Sequence, residues 1–317
     1  MNTVKNIAEL DNKKINLSEV KTYKIKKSKA TILFNILGYS LVSFVAVLCL
    51  LPFIMLISGS FSSERAISNL GYGILPREFN TDAYKLLFRY PQDIIRAYGV
   101  SIFITVVGTA LGLFVITMTA YVLNRKDFKY RNKLAFFFYF TTLFNGGLVS
   151  TYIFMIRYLH LKNSFLSLIL PLLINVFYLL VMRSFMNSIP ESIIESAKID
   201  GAGDFTIFIK LILPLSKAGL ATIGLFIALD YWNDWYNAML YMTEFKKFPL
   251  QYMLYNMLSS TEAMSRISSA SSVAMANMPS QSLKLAMAVI ATGPIILVYP
   301  FVQKYFVKGI TVGAVKG

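Results

Sequence analysis

The chemistry this chain offers is concentrated in two short stretches. The first is Asp230-Tyr231-Trp232-Asn233-Asp234-Trp235-Tyr236-Asn237, where two carboxylates and two amides alternate with four aromatic rings inside an otherwise apolar run. Flat rings beside hydrogen-bonding groups suit a sugar, whose ring faces stack while its hydroxyls find donors and acceptors. The same rings also suit the aromatic belt at the outer edge of a bilayer, and both readings stand at this level. Carboxylates and amides are costly in lipid, so some of Asp230, Asn233 and Asp234 should face a cavity or a partner, with Trp232, Trp235 and Tyr236 beside them. Asn145 and Asn175 are further polar positions in apolar runs, each fitting a helix-helix hydrogen bond as well as a ligand contact.

The second stretch runs from Ser188 to Asp204, Ser-Ile-Pro-Glu-Ser-Ile-Ile-Glu-Ser-Ala-Lys-Ile-Asp-Gly-Ala-Gly-Asp. It predicts a helix with marked ends: Pro190 suits the first turn, Glu191 suits the positive N-terminal pole, and Gly201 can take the left-handed backbone that stops a helix. Ile193, Ile194, Ala197 and Ile199 provide an apolar side, while Glu195, Lys198 and Asp200 stay polar. Such a helix outside the apolar runs is a docking element or an interfacial helix.

Covalent and metal chemistry find no support. There is one cysteine, Cys49, and one histidine, His160, so an internal disulfide is excluded and a zinc site has no ligand set. No nucleophile, base and orienter stand at a recognisable spacing, and no G-x-x-x-x-G-K-[ST] phosphate loop occurs in the chain. The basic residues exceed the acidic ones by 15, but they lie in short links and a tail without aromatic interleaving, which argues against nucleic acid.

The elements that must position these groups are membrane helices. Of the 317 residues only 15% are charged and 56% are hydrophobic; a soluble domain carries roughly a quarter charged residues. Apolar runs near 31–59, 97–123, 133–156, 164–186, 214–241 and 284–307 reach the ~20 residues that a span needs, so six spans are predicted in a single transmembrane domain over 31–317. A basic tail over 1–30 precedes it, with Lys5, Lys13, Lys14, Lys21, Lys24, Lys26, Lys27 and Lys29, and it is expected to be retained, since no cleavage site follows the first apolar run.

That tail and the link with Arg125, Lys126, Lys129, Arg131 and Lys133 are expected to face the cytoplasm, with both termini and the 187–213 loop. The opposite face then holds 60–96, a turn around Arg157 to Asn163, and 242–283. In the first of these, Asn80-Thr81-Asp82 can cap a short helix whose Ala83, Leu86 and Leu87 form an apolar face suited to the membrane surface, and a surface loop with one helical turn fits the same pattern equally well. The Ser/Ala/Met-rich stretch 259–276 reads as a loop or a small-residue helix.

Residues 195–202, Glu-Ser-Ala-Lys-Ile-Asp-Gly-Ala, resemble the EAA loop of binding-protein-dependent ABC importer permeases, E-A-A-x-x-D-G-A followed by a hydrophobic stretch with L-P. Ser196 replaces the first alanine, and Leu213-Pro214 closes the motif. The resemblance extends over roughly 30 to 317, through Phe144-Asn145-Gly146-Gly147, the Trp-Asn run and the ending Tyr305 to Gly317, which is similar to the carbohydrate-uptake branch.

That resemblance implies an all-α permease fold of the type I importers, with a cytoplasmic coupling helix between spans 4 and 5. It implies a subunit that is not itself an enzyme and holds no cofactor, ATP and Mg being bound by two separate ATPase subunits. A second homologous permease and an extracellular or periplasmic sugar-binding protein complete the assembly in the bacterial cell membrane, in contact with lipid. Glu191, Ile193, Ile194, Glu195, Ala197, Asp200, Gly201 and Ala202 become the ATPase-coupling residues, with Ile193, Ile194 and Ala197 as the apolar dock. The substrate class implied is sugars, in particular oligosaccharides and among them acidic glycan fragments. The alternatives are a permease for a non-sugar solute such as amino acids, or an ion-coupled carrier.

Overall fold

The computed structural model describes residues 28–268, 281–294 and 296, all of them helix or link apart from one isolated bridge between Ser62 and Phe79. The chain divides into two compact units, 1–53 and 54–317. In the first, the described part is the bulk of α1 (Lys29–Ser60), a continuously apolar helix containing Pro52, whose side chains such as Phe34, Leu41, Phe44 and Leu50 are exposed. The predicted basic residues before Ser28 lie outside the described residues.

The second unit is built around α4 (Pro91–Asn124). Pro91 starts it at a position where the missing N–H costs nothing, and Asp93 lies in the first turn, at the positive pole. Short α2 (Glu64–Leu70) and α3 (Asp82–Leu87) precede it. Ser63 caps α2, accepting from the Ala66 amide at 3.1 Å. Asn80 accepts from the Asp82 amide at 2.6 Å, so the side-chain bond at the start of α3 comes from Asn80, while Thr81 makes none. The membrane-surface role expected for α3 is not what its packing supports: Ala83 and Leu87 are buried and belong to the chain's own core.

Three of the expected spans are bent helices, not single rods. α5 (Arg131–Leu143) turns through 111° into α6 (Gly147–Ile153) and its continuing π-turn Phe154–Tyr158. α7 (Leu166–Ile169), with the 3-10 turn Leu170–Leu172, turns through 54° into α8 (Val176–Met186). After α9 (Glu191–Ile199), the segment of α10 (Asp204–Ile207), a π-turn over Phe208–Ile212 and α11 (Leu213–Leu215) meets α12 (Lys217–Asn233) at 83°. α12 in turn stops before α13 (Tyr236–Tyr241), so the expected run 214–241 is interrupted twice.

A 3-10 turn Phe245–Lys247, α14 (Leu250–Ser268) and the helix α15 over 281–294 complete the described chain. Among the described residues α1 and α4 are long and apolar enough to cross a bilayer unbroken, and the three bent pairs bring the number there to at most five. The sixth expected span, 284–307, is described only as far as 294 and at 296. The predicted 259–276 stretch is helical to Ser268, and its remainder, like the 305–317 string, lies outside the described residues.

Helices α4, α8 and α12 pack closely on one another, and glycines allow it. Gly108 and Gly112, four residues apart on α4, form a notch that takes Tyr231 and Ile227, also four apart on α12. A β-carbon on Gly108 would lie 2.5–2.7 Å from three Tyr231 ring atoms, and one on Gly112 would lie 3.1 Å from the Leu173 carbonyl. The Tyr231 hydroxyl donates to the Ile169 carbonyl at 2.8 Å, which ties α7 to the same crossing. Nearer the start of α12, Gly219 admits the Phe185 ring of α8.

Long links are fastened by side chains. Glu64 accepts from the backbone amides of Gln281 and Ser282 at 2.9–3.1 Å and so covers the first amides of α15. Asn163, at positive φ, accepts from the Thr243 and Glu244 amides, and its carbonyl accepts from the Lys247 ammonium at 2.9 Å. The Arg157 to Asn163 turn is therefore held against the 241–247 link.

Candidate functional site

α9 has the ends that its sequence predicts, with one shift: Pro190 stands just before the helix and Glu191 opens it. At the other end Asp200 is the cap residue and Gly201 has φ +79. The Gly201 amide donates to the Lys198 carbonyl at 3.0 Å and the Ala202 amide to the Ala197 carbonyl at 2.9 Å, the paired bonds of a Schellman motif. Only a residue that accepts positive φ closes this motif without strain.

The apolar side of α9 is divided differently from the expectation. Ile194 and Ala197 point inward and pack on the core, together with Ile189 before the helix and Ala202 after it. Ile199 lies on the other side and is 86% exposed; Glu191, Glu195 and Asp200 are also exposed, and Ile193 is half-buried. The apolar residues that seat the helix on this chain are thus distinct from the one it presents outward.

Three consecutive residues after α4 reach α9 and its flanks. Arg125 donates through Nε to Asp127 at 2.9 Å, and through a terminal nitrogen to Asp204, at the start of α10, at 2.6 Å. Lys126 pairs with Glu191 in the first turn of α9. Asp127 accepts from Lys198, in the last turn of α9, at 2.8 Å. The Arg125 side chain is 19% exposed, and its charge centre lies 5.9 Å from the centre of the Tyr121 ring.

Hydrogen bonds from Arg125 and Lys198 hold the Asp127 carboxyl well below the usual carboxylate range, and the bonds to Asp127 and Asp204 raise the Arg125 guanidinium. Arg125, Asp127 and Lys198 also line a cleft of about 530 Å³ between the 124–127 link and α9. In the sequence alone, Arg125 and Lys126 read only as markers of the cytoplasmic side.

The polar aromatic stretch splits at the α12–α13 break. Trp232 is only 8% exposed and donates through Nε1 to the Ala291 carbonyl at 3.2 Å, so it belongs to the core and not to an open surface. Asp230 accepts from the Tyr178 hydroxyl of α8 at 2.8 Å. Asn233 is exposed and donates to the Leu229 carbonyl one turn back. Asp234 accepts from both the amide and the side chain of Asn237, closing the break. Trp235 and Tyr236 are exposed; the Trp235 ring stacks on Tyr255 of α14 at 4.3 Å, a partner the sequence did not indicate.

Asn145 and Asn175 likewise stand at breaks. Asn145 accepts from the Gly147 amide between α5 and α6, and Asn175 accepts from the Phe177 amide as the cap of α8. The helix-helix hydrogen bonds expected of them are replaced by these local ones. Among the described residues no group of three or more His, Cys, Asp or Glu side chains could hold a metal ion.

The second unit thus combines the unbroken apolar α4 with bent apolar helices and a capped, exposed helix between α8 and α12, the elements of a membrane-spanning subunit. No protein-family model matches the chain. It is 41% identical over 290 residues to the polygalacturonan/rhamnogalacturonan transport system permease protein YtcP of Bacillus subtilis (strain 168), covering 90% of this chain and 99% of that one. It is 40% identical over 303 residues to Protein LplC of the same organism, covering 95% and 100%. Among solved structures it resembles a chain of a bacterial ABC transporter involved in the import of the acidic polysaccharide alginate, with TM-score 0.73, 30% identity, and 88% of this chain and 99% of that one covered. The chain belongs to the ABC transporter permeases of carbohydrate import.

Proposed function

We propose that this permease forms half of the translocation pathway of an ATP-driven importer for oligosaccharides, acidic ones in particular, and that α9 is its coupling helix. One observation carries the coupling assignment: α9 is fixed to the chain by one apolar side and a capped end, yet presents Ile199, Glu195 and Asp200 outward. Ile199 is the apolar tip that enters a groove of a separate ATPase, with Glu195 and Asp200 at its rim and Ile193 partly beneath. Ile194, Ala197 and Ala202 hold the helix on the permease, and Gly201 and Glu191 set its ends.

In this assembly two ATPase subunits bind ATP and Mg, a second homologous permease completes the pathway, and an extracellular sugar-binding protein delivers substrate. The N-terminal tail and the 124–131 link, where cations concentrate, are cytoplasmic, and α9, ion-paired to that link, lies on the same side with the C-terminus. The acidic-oligosaccharide reading rests on the polymers named for YtcP and for the alginate importer. Asn233, Trp235 and Tyr236 are the exposed polar and aromatic groups available to a passing sugar, with Trp232 and Asp230 anchoring the end of α12 beside them.

The test is Asp200→Arg in membranes that contain the partner subunits. Uptake, ATP hydrolysis and copurified ATPase are measured together, with the variant inserted at normal levels. Uptake is expected to vanish with loss of bound ATPase or of its stimulation by loaded binding protein. Normal values of all three would refute the assignment.

A further inference from the structure

The triplet Arg125-Lys126-Asp127 pairs in order with the segment following α9, the first turn of α9, and the last turn of α9. The signs are complementary at every point: two cations meet Asp204 and Glu191, and the anion meets Lys198. The exposed Lys126–Glu191 pair alone would contribute little to stability, whereas Arg125, 19% exposed, joins Asp127, Asp204 and Lys198 in one network. What these contacts do is fix position. Three points spread over 191–204 determine both the location and the tilt of α9, and the triplet leads directly into the last turn of α4.

α4 is also the helix whose Gly108 and Gly112 notch receives α12 and which packs along α8. A displacement of α9 is therefore delivered at the end of the helix most closely packed with the others. The apolar seat alone would let α9 rock about Ile194 and Ala197; the ion pairs oppose that rocking.

We propose that Arg125 and Asp127 are positioning residues of the transport cycle, forming a strut that carries the movement of α9 into α4 and stays closed throughout the cycle. The inference rests on the coupling-helix assignment. It adds that the 124–127 link, and not only the apolar seat, transmits the motion.

Arg125→Ala and the near-isosteric Asp127→Asn should leave insertion, copurified ATPase and ATP hydrolysis in place. Substrate transported per ATP hydrolysed should fall by about fivefold or more, the lower end of ordinary coupling energies. A second variant guards against a purely structural effect: Asp127→Cys with Lys198→Cys, in a Cys49→Ala background. Reduced, it should show the same loss; bridged by a short bifunctional thiol reagent, it should recover transport per ATP.

An unchanged ratio in Arg125→Ala and Asp127→Asn would overturn the strut, as would a bridged form that no longer transports. Failure of the coupling-helix assignment looks different: there Asp200→Arg would keep its ATPase and its uptake, whereas failure of the strut alone leaves Asp200→Arg inactive.

Discussion

Substitution of Gly201 separates backbone conformation from bulk at the end of α9. A β-carbon at this position meets no atom within 4 Å, so crowding contributes nothing and the whole cost comes from φ +79. Alanine in left-handed backbone costs about 1 kcal/mol and a β-branched residue about 2 kcal/mol, while asparagine is tolerated there. At 1.4 kcal/mol per tenfold, these costs lower the ratio of intact to opened last turn by roughly fivefold for Gly201→Ala and thirtyfold for Gly201→Val. The core packing of Ile194 and Ala197 remains, so the loss is confined to the two closing bonds and the direction of Ile199 and Asp200. Initial uptake rates and copurified ATPase, measured in proteoliposomes with loaded binding protein, should rank Gly, Asn, Ala, Val from highest to lowest. Equal activity of the Asn and Val variants would refute the argument from φ, and so would equal losses in Asn and Ala.

Gly108→Ala should lower the melting temperature in detergent, because overpacking against the hydrogen-bonded Tyr231 ring costs about 1–3 kcal/mol, whereas Gly203→Ala meets no atom within 4 Å and should melt as the parent does. Trp232→Phe forfeits one bond to the Ala291 carbonyl, worth about 1 kcal/mol, and should reduce thermal stability without altering the range of sugars taken up. Trp235→Ala should do the reverse, and an uptake panel of acidic and neutral oligosaccharides compares the two; a changed sugar range in Trp232→Phe would contradict its place in the core.

The parts of the fold legible in the sequence depend on local rules or on long uniform runs. α1 and α4 exceed the length of a bilayer span without interruption, and the ends of α9 follow from Glu191 and Gly201 alone. The breaks at Asn145, Asn175 and Asp234 escaped because a window of about 20 residues averages over a turn of three or four. Helical angle could have separated Ile199 from Ile194: five residues place them about 140° apart, while Ala197 lies only about 60° from Ile194. The ion pairs at 125–127 were hidden for a different reason. Their partners lie 65 to 79 residues further along the chain, and clustered cations already had an explanation in membrane orientation. Burial of Trp232 beside exposure of Trp235 was likewise not readable, since it depends on the break at Asp234 and on a carbonyl from α15.

The 111° turn between α5 and α6 also bears on how this protein is made. At 1.5 Å per residue, the 13 residues of α5 extend about 20 Å, well short of a hydrocarbon layer of about 30 Å. Neither arm can cross by itself, and the backbone groups released at the turn have no water to bind in lipid. A translating ribosome that has just completed Leu143 therefore holds a segment unfit to be released alone. Its exit into the bilayer has to wait for a protein surface that can shelter the turn. Residues 141–150, which span the turn, are all exposed, so that surface has to come from outside the described residues, and the bend ties insertion of this span to assembly.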